Sequence, residues 1–475
     1  MTVSTVEIIR IDERRVTIGE SELTRLDRDL QGRILLPGDE GFAQATLTWN
    51  GMVAHAPAIV AQPRGADDVS TIIDFAHEHS LLVGMRGGGH NIAGTSIAPD
   101  GLTIDMSLMR SVSVDPERRV AHAQPGCVLG DVDAATQEHG LATVLGFVSE
   151  TGIAGLTLGG GWGYLTRRFG WTVDNLEEVE VVTADGEIRI ANRDSNEDLF
   201  WAIRGGSGNF GVVTRFTYRL HEIGPMITGG LVAWSADRAE EILAAYKEIT
   251  AAAPRELTLA TVVRMAPPAP FVPEEWHGKP IVAIVACYTG DDPDRALAPI
   301  RDLPEPVAST LGEMPYAALQ SMLNANEPKG PHRYWKTEFL PDLADGFLEA
   351  FRRGALRLTT PMSQSVIFHL GGALNERPQD DGAVGNRDAR YISGFAGTWP
   401  PDAPSDPHIE WVRESWEAIR PFSTGGNYVN FQLADDDDQR LQAAYGENYA
   451  RLREVKAEYD PENFFRVNRN IPPAV

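Results

Sequence analysis

Three glycine-dense segments stand out as places where this chain could hold a large ligand. They read RGGGHN at residues 86–91, GIAGLTLGGGWG at 152–163 and GGSGNFG at 205–211. Glycine permits positive φ angles and lets backbone N–H groups come close to a phosphate or a planar ring. The alternative is three unrelated turns. The recurrence of the pattern between residues 86 and 211 favours a large anionic cofactor.

The third segment contains the G-x-G-x-x-G spacing through Gly206, Gly208 and Gly211. This spacing is typical of a Rossmann dinucleotide site only where the glycines join a strand to a following helix. Here the helical pattern NEDLFWAIR precedes the glycines and the strand-like run VVTRFTYRL follows them. The sequence therefore argues against a Rossmann site.

His90 follows three glycines directly, so bulky neighbours are absent and a ligand could approach its ring closely. A histidine in a loop is more often a surface or hydrogen-bonding residue. The glycines around His90 make a role at the cofactor the more informative hypothesis.

Charge and composition limit the partners of the protein. Its 475 residues carry 42 basic and 67 acidic side chains, a formal net charge of −25. Such a chain is repelled by phosphate backbones and anionic lipids, so we expect neither nucleic acid nor a membrane as partner. The two cysteines, Cys127 and Cys287, predict neither a disulfide framework nor a metal site. The N-terminal segment has no apolar core typical of a signal peptide, so a cytoplasmic location is expected.

The length is sufficient for two domains and a returning tail. Residues 1–220 alternate short strands with helices, including a helix predicted from the apolar spacing of Val69, Ile72, Ile73 and Ala76. Residues 221–420 combine runs typical of antiparallel strands with amphipathic helices. Residues 421–475 contain a helix that ends at Asp460 and Pro461. An α+β protein is predicted.

The glycine segments also carry a family resemblance. RGGGHN resembles the cofactor loop of the FAD-linked oxidases related to vanillyl-alcohol oxidase and p-cresol methylhydroxylase, and GIAGLTLGGGWG and GGSGNFGVVT resemble two further flavin loops of that family. Near the C-terminus, NYVNF, YGENYARLREVKAEYDPENFF and VNRNI resemble the closing motifs of its berberine bridge enzyme-like branch. The similarity extends over most of the chain.

The resemblance implies a fold and a cofactor. The expected fold is a two-subdomain FAD-binding domain of the vanillyl-alcohol oxidase type, completed by residues 421–475, plus a substrate domain with an antiparallel sheet flanked by helices. FAD is expected to be bonded covalently to His90. The other residues expected at the cofactor are Arg86, Gly87, Gly88, Gly89, Asn91, Thr151, Gly152, Gly155, Gly159, Gly160, Gly161, Gly163, Gly208, Gly211, Val212, Asn468 and Asn470.

One departure from the branch concerns the number of flavin bonds. Many members carry a second bond from a cysteine just ahead of the second glycine loop, but here that stretch reads GFVSETGIAG and places Val148 there. Cys127 lies too far upstream to align. Attachment through His90 only is therefore expected.

The resemblance further implies that Tyr428 is the catalytic base, with Asn430 and Lys336 as helpers. Tyrosine needs a cation or hydrogen-bond donor nearby to act at neutral pH. The expected reaction moves hydride from a C–H next to an O–H or N–H of a small organic substrate to the flavin, and O2 is then reduced to H2O2. A dehydrogenase with another acceptor, a ring-closing biosynthetic enzyme and a flavin-carrying binding protein remain alternatives. A monomer or a homodimer is expected.

Overall fold

A computed structural model describes residues 5–475 and contains five β-sheets. The strands in chain order are β1 Thr5–Ile9, β2 Arg15–Gly19, β3 Arg33–Leu35, β4 Ile59–Gln62, β5 Val83–Arg86, β6 Leu102–Asp105, β7 Val112–Asp115, β8 Val120–Ala123, β9 Leu141–Ala142, β10 Leu176–Val182, β11 Ile188–Asn192, β12 Val212–Arg219, β13 His221–Glu222, β14 Met226–Ser235, β15 Leu257–Met265, β16 Pro280–Tyr288, β17 Ala308–Ser309, β18 Gly312–Pro315, β19 His332–Leu340, β20 Gln364–His369 and β21 Tyr391–Trp399.

Helices are distributed along the whole described chain. They are α1 Glu20–Asp29, α2 Phe42–Thr46, α3 Ala66–His79, α4 Leu129–Gln137, α5 Ile153–Leu158, α6 Thr166–Phe169, α7 Glu197–Ile203, α8 Ala239–Ala252, α9 Pro293–Arg301, α10 Tyr316–Ser321, α11 Asp345–Ala355, α12 Asp406–Ile419, α13 Asp438–Tyr445 and α14 Asn448–Tyr459. Over residues 5–475, no helix combines the length and apolarity needed to cross a bilayer. The predicted α+β class is confirmed.

A four-stranded sheet in the order β3-β4-β6-β5 holds the first glycine segment, which begins where β5 ends. Strand β6 pairs in parallel with both β4 and β5. Helix α3 covers the sheet with the four apolar residues predicted from their spacing, all fully buried. The loop after β5 is thus anchored by a rigid strand and helix.

A five-stranded antiparallel sheet, β11-β10-β12-β8-β7, positions the third glycine segment. Helix α7 leads into this segment and β12 leaves it. This order confirms that the segment is not a Rossmann turn, because no helix begins after the glycines to meet a pyrophosphate.

The second half of the chain forms an eight-stranded antiparallel sheet in the order β17-β14-β16-β15-β20-β21-β19, with β18 also paired to β14. Helices α8, α11 and α12 contribute to the hydrophobic core on this sheet, with Tyr246, Phe347 and Trp411 buried in it. Strand β21 lies between β19 and β20, so side chains of all three strands share one face toward the first half.

The C-terminal segment packs into the cores of the first half. Leu452 and Ile471 are buried together with β10, β12 and α7, and Phe464 and Phe465 join the core around α3. Val467 forms a parallel bridge with Gly84 of β5. Inside this segment Lys456 donates to Asp460 across 2.6 Å, with both side chains buried.

Candidate active site

A cavity lies where the glycine segments, the β19–β21 sheet and the C-terminal segment meet. It is lined by residues from all three glycine segments, and so the structure brings together parts of the chain that are far apart in sequence. The predicted residues that line it are Arg86, Gly87, Gly88, Gly89, His90, Asn91, Thr151, Gly152, Gly155, Gly208, Gly211, Val212, Tyr428, Asn430 and Asn468.

The first two glycine segments touch each other backbone to backbone. A Cβ added to Gly88 would lie 2.5 Å from the amide nitrogen of Gly152, and a Cβ added to Gly152 would lie 2.3 Å from that of Gly88. No other residue fits either position without moving the backbone. This contact makes a side-chain-free surface on one wall of the cavity.

His90 is half-buried and stacks on Trp49, with ring centroids 4.3 Å apart and planes inclined by 18°. Within the described chain its Nε2 has no hydrogen-bond partner. Burial, with Arg333 and Lys329 nearby, lowers the pKa of His90 from 6.5 to about 3. The imidazole is therefore neutral at physiological pH and keeps a nitrogen lone pair free for bond formation.

Residues around the cavity fit a flavin dinucleotide. Gly155 of α5 has open space where a Cβ would lie, so a ligand can contact this helix closely. The buried Arg86 Nε and Asn468 Oδ1 have no partner among the described residues, although Arg86 Nη1 donates to Asp105 across 2.8 Å and Asn468 Nδ2 donates to Gly208 O across 3.2 Å. A large ligand with donors, acceptors and negative charge would satisfy these atoms.

Tyr428 belongs to the C-terminal segment and contacts the second glycine segment through hydrogen bonds. Its phenol oxygen accepts hydrogen bonds from the Gly161 N–H at 3.2 Å and from Asn430 Nδ2 at 3.0 Å. Asn430 Nδ2 also donates to Gly155 O at 2.9 Å, which fixes the orientation of the amide. Burial raises the pKa of Tyr428, and the two donors lower it. The phenol therefore stays protonated at neutral pH and has its own O–H free for a third partner.

Five of the predicted cofactor residues do not line the cavity. Gly159 packs against the side chain of Asn430, and Gly160 and Gly161, with φ of +111° and +73°, pack against Val384 and Thr172. Gly163 lies against the carbonyl of Leu145. These four glycines allow close packing behind the cavity. Gly161 also donates its N–H to the phenol oxygen of Tyr428, which lines the cavity. The fifth is Asn470, whose buried Oδ1 has no partner among the described residues.

Lys336 is a correction to the sequence interpretation. It lies outside the cavity and donates to Asp435 at 3.0 Å and to Asp436 at 2.7 Å, so it cannot assist Tyr428. The physical reason is strand alternation: Trp335 and Thr337 line the cavity, and Lys336 points to the opposite face of β19.

Val148 and the cysteines bear on the number of flavin bonds. Val148 lines the cavity, so an apolar side chain occupies this position. Cys127 is buried outside the cavity, with its Sγ 3.4 Å from Ser111 O, and burial raises its pKa to about 11. Cys287 is buried in the second-half sheet. Within residues 5–475, no thiol therefore faces the cavity.

The side chains on the sheet side of the cavity are not predicted from the sequence. The residues there are Trp49, Asn326, Glu327, Trp335, Thr337, Gln364, Val366, Phe368, Gly394, Ala396 and Phe431. The alternation in HRYWKTEFL could have signalled Trp335 and Thr337 as one face of a strand. Glu327 lies in a loop between elements and carries no sequence signal.

Comparisons with known proteins agree with this geometry. A family model described as "FAD binding domain" matches residues 57–192, and one described as "Berberine and berberine like" matches residues 427–472. An FAD-linked oxidoreductase of Dictyostelium discoideum is 30% identical over 94% of this chain and 95% of its own length. The (R)-6-hydroxynicotine oxidase of Paenarthrobacter nicotinovorans is 29% identical over 94% of this chain and 97% of its own length.

A solved structure matches over a similar extent. The crystal structure of 6-hydroxy-D-nicotine oxidase from Arthrobacter nicotinovorans superposes with a TM-score of 0.82 at 27% identity, covering 94% of this chain and 98% of that chain. The expected two-part fold is thereby confirmed.

Proposed function

The chain belongs to the berberine bridge enzyme-like FAD-linked oxidoreductases, and we propose that it is an oxidase that carries FAD on His90 and uses O2 as its electron acceptor. One observation carries the proposal: a neutral, half-buried histidine, a side-chain-free glycine wall and a hydrogen-bonded tyrosine share one cavity. When bound, FAD would supply the hydride acceptor. The proposed substrate carries a C–H next to an O–H or N–H.

The histidine is well suited to covalent attachment. A ring nitrogen forms such a bond only through its lone pair, and the depressed pKa of His90 keeps the ring unprotonated. Stacking on Trp49 restricts rotation of the imidazole, so its direction is set before a cofactor arrives. Because Val148 and not a cysteine faces the cavity, we propose a single attachment.

Tyr428 is proposed to receive the substrate proton. For this step Tyr428 first releases its own proton to solvent, and Asn430 Nδ2 and the Gly161 N–H would stabilise the resulting phenolate, which then takes the O–H or N–H proton of the substrate. Asn430 Nδ2 is held by its hydrogen bond to Gly155 O, and Gly161 is held by its packing on Thr172, so the two donors need no rearrangement during the reaction.

The proposal of O2 as acceptor is supported by relatives named as oxidases that align over nearly the whole chain. A dehydrogenase that passes electrons to another acceptor is the competing function.

Anaerobic reduction of the purified holoenzyme tests the proposal. A panel of secondary alcohols, cyclic amines, sugars and phenolic polyketides is added, and bleaching of the visible flavin absorbance is followed. Air is then admitted, and return of the colour with stoichiometric H2O2 is expected of an oxidase. Slow return of colour in air, with fast return on adding a quinone or dye, would identify a dehydrogenase. A flavin that no compound reduces would indicate a binding protein.

Acid precipitation tests the attachment. The pellet of the unaltered protein should stay yellow, and mass spectrometry should find one flavin-modified peptide that contains His90. His90→Ala should release its flavin into the supernatant. A modified peptide containing Cys127, or flavin released from the unaltered protein, would refute attachment through His90 only.

A further inference from the structure

The sheet wall of the cavity forms a trough with unequal ends. Small residues of the middle strand, Gly394 and Ala396, pair with Val366 and Gln364 of β20 on one side and with Thr337 and Trp335 of β19 on the other. The small side chains leave a groove along the sheet between larger ones. An extended, flat substrate body fits this shape.

One end of the trough is aromatic and leads to Tyr428. Phe368, the last cavity-lining residue of β20, packs edge to face on Trp162 with centroids 4.6 Å apart. Trp162 in turn lies 6.2 Å from the Tyr428 ring. A substrate that presents its reacting carbon near Tyr428 therefore has aromatic contacts at that end.

The other end carries a buried carboxyl group. Glu327 lines the cavity with only 8% of its surface exposed, and its Oε1 accepts from Gln364 Nε2 at 3.1 Å. Its Oε2 forms an ion pair with Arg333, whose Nε lies 3.6 Å away, beyond hydrogen-bond distance. Among the described cavity-lining residues, Glu327 is the single carboxylate. One hydrogen bond and one long ion pair leave this buried carboxylate with acceptor capacity, so a donor on a ligand would stabilise it further.

A series of aromatic side chains, Phe431, Trp335 and Trp49, lies between Tyr428 and Glu327. Centroid distances are 5.1 Å from Tyr428 to Phe431, 5.6 Å from Phe431 to Trp335 and 5.3 Å from Trp335 to Trp49. The Trp49 Nε1–H then donates to the Glu327 carbonyl at 3.2 Å. Glu327 and Tyr428 thus lie at opposite ends of this aromatic series.

The charges around Glu327 leave it able to ionise near neutral pH. The pKa of Glu327 is raised to about 7 because burial outweighs the lowering by Arg333 on β19, by Arg264 on β15 and by the Gln364 hydrogen bond. A carboxylate accepts stronger hydrogen bonds than a neutral acceptor does.

We infer that Glu327 and Gln364 form a second recognition point for substrate, which binds a hydrogen-bond donor at the end of an aromatic body remote from the reacting carbon. This inference rests on the proposed function and assigns its substrate class. The substrate is an elongated aromatic alcohol or amine with a distal O–H or N–H.

Paired probes test the inference. Biphenyl-4-methanol and its 4′-hydroxy derivative differ only in a distal donor, and their binding to the holoenzyme is measured anaerobically by calorimetry. The unaltered protein should bind the hydroxy derivative about tenfold more tightly or better, as a hydrogen bond to a charged group provides. Glu327→Leu should abolish this preference, and Glu327→Gln should reduce it. Glu150→Gln, an exposed charge outside the cavity, should retain it.

The binding measurements test the role of Glu327 independently of the proposed oxidase function. Binding does not require turnover, so the comparison of the two probes across the variants can support the role of Glu327 even if neither probe reduces the flavin. Equal preference in the unaltered protein and Glu327→Leu, or no preference in the unaltered protein, overturns the role of Glu327. If Glu327→Leu retains too little flavin to assay, Glu327→Gln decides the result, because its amide can keep the Gln364 contact.

Discussion

The two walls of the cavity are built in different ways. The loop wall, residues 86–91 and 151–155, is mainly backbone, with Gly88 and Gly152 in direct contact. The sheet wall, β19–β21, consists of alternate side chains on strands whose hydrogen bonds do not depend on those side chains. The loop wall therefore tolerates little change, and the sheet wall can change its chemistry without altering the fold. This difference suits a constant cofactor facing a variable substrate.

Tyr428 lies where the two walls meet, and its loss should have the largest effect. Tyr428→Phe removes only the phenol oxygen, so fold and flavin content should persist, and flavin reduction should slow by about 10²–10⁴-fold. Burial raises the pKa of the Tyr428 phenol, so the phenolate forms only in alkali. Any increase in the rate of the unaltered enzyme at high pH should therefore be absent in Tyr428→Phe. Stopped-flow reduction measures both.

A matched tyrosine tests whether the position matters. Tyr246 is also buried, but its hydroxyl donates to Leu259 O and Ile367 O in the second-half core. Tyr246→Phe should leave flavin reduction within a few-fold of normal. If Tyr428→Phe behaves in the same way, Tyr428 only lines the cavity.

Neighbouring residues of β19 on opposite faces should give opposite results. Lys336→Met leaves Asp435 and Asp436 without their lysine, and the free energy of unfolding should fall by about 3 kcal/mol, the lower end of the usual cost because Arg440 still contacts Asp436. Flavin reduction should change little. Thr337→Val, on the cavity face, should alter substrate KM with little change in stability.

Denaturant unfolding and steady-state kinetics of both variants provide the comparison. A loss of rate in Lys336→Met without a loss of stability would restore Lys336 to the catalytic machinery and would contradict the alternation of β19.

The loop wall should be sensitive to a single methyl group. Gly88→Ala forces a Cβ to within 2.5 Å of the Gly152 nitrogen, and overpacking of this kind costs about 1–3 kcal/mol. Gly155→Ala adds its methyl group to open space within α5 and should leave the stability of the flavin-free protein unchanged or slightly higher. Thermal unfolding measures both, and equal losses would show that the loops adjust to side chains.

The smallest expected effect is the response of covalent attachment to acid. A histidine of ordinary pKa loses about nine tenths of its neutral form one pH unit below 6.5. Because burial and Arg333 lower the pKa of His90 to about 3, the ring stays neutral over that interval. The rate of FAD attachment to flavin-free protein, followed by mass spectrometry, should stay nearly constant on crossing pH 6.5. A tenfold fall would show that the ring is protonated there.

The sequence predicted the elements whose signals are local. The apolar spacing of α3, the order of α7, glycines and β12, and the α+β class all follow from contiguous residues, and the structure confirms them. The glycine segments and His90 were found for the same reason, since each is a short motif. Gly160 and Gly161 were assigned to the cofactor because a glycine needed for packing looks the same in sequence as one needed for a ligand.

From local sequence signals alone, this chain is expected to form glycine-rich loops around a large anionic ligand, with a histidine beside them. Which side chains face that ligand depends on contacts between distant segments of the folded chain. Strand β19 turns Trp335 and Thr337 toward the cavity and Lys336 away from it. This orientation is set by pairing with β21 and by the carboxylates of residues 435–436, which bind Lys336. Glu327 enters the cavity because a loop brings it beside β20. Contacts between distant segments carry no local pattern, and so they appear only once the chain is folded.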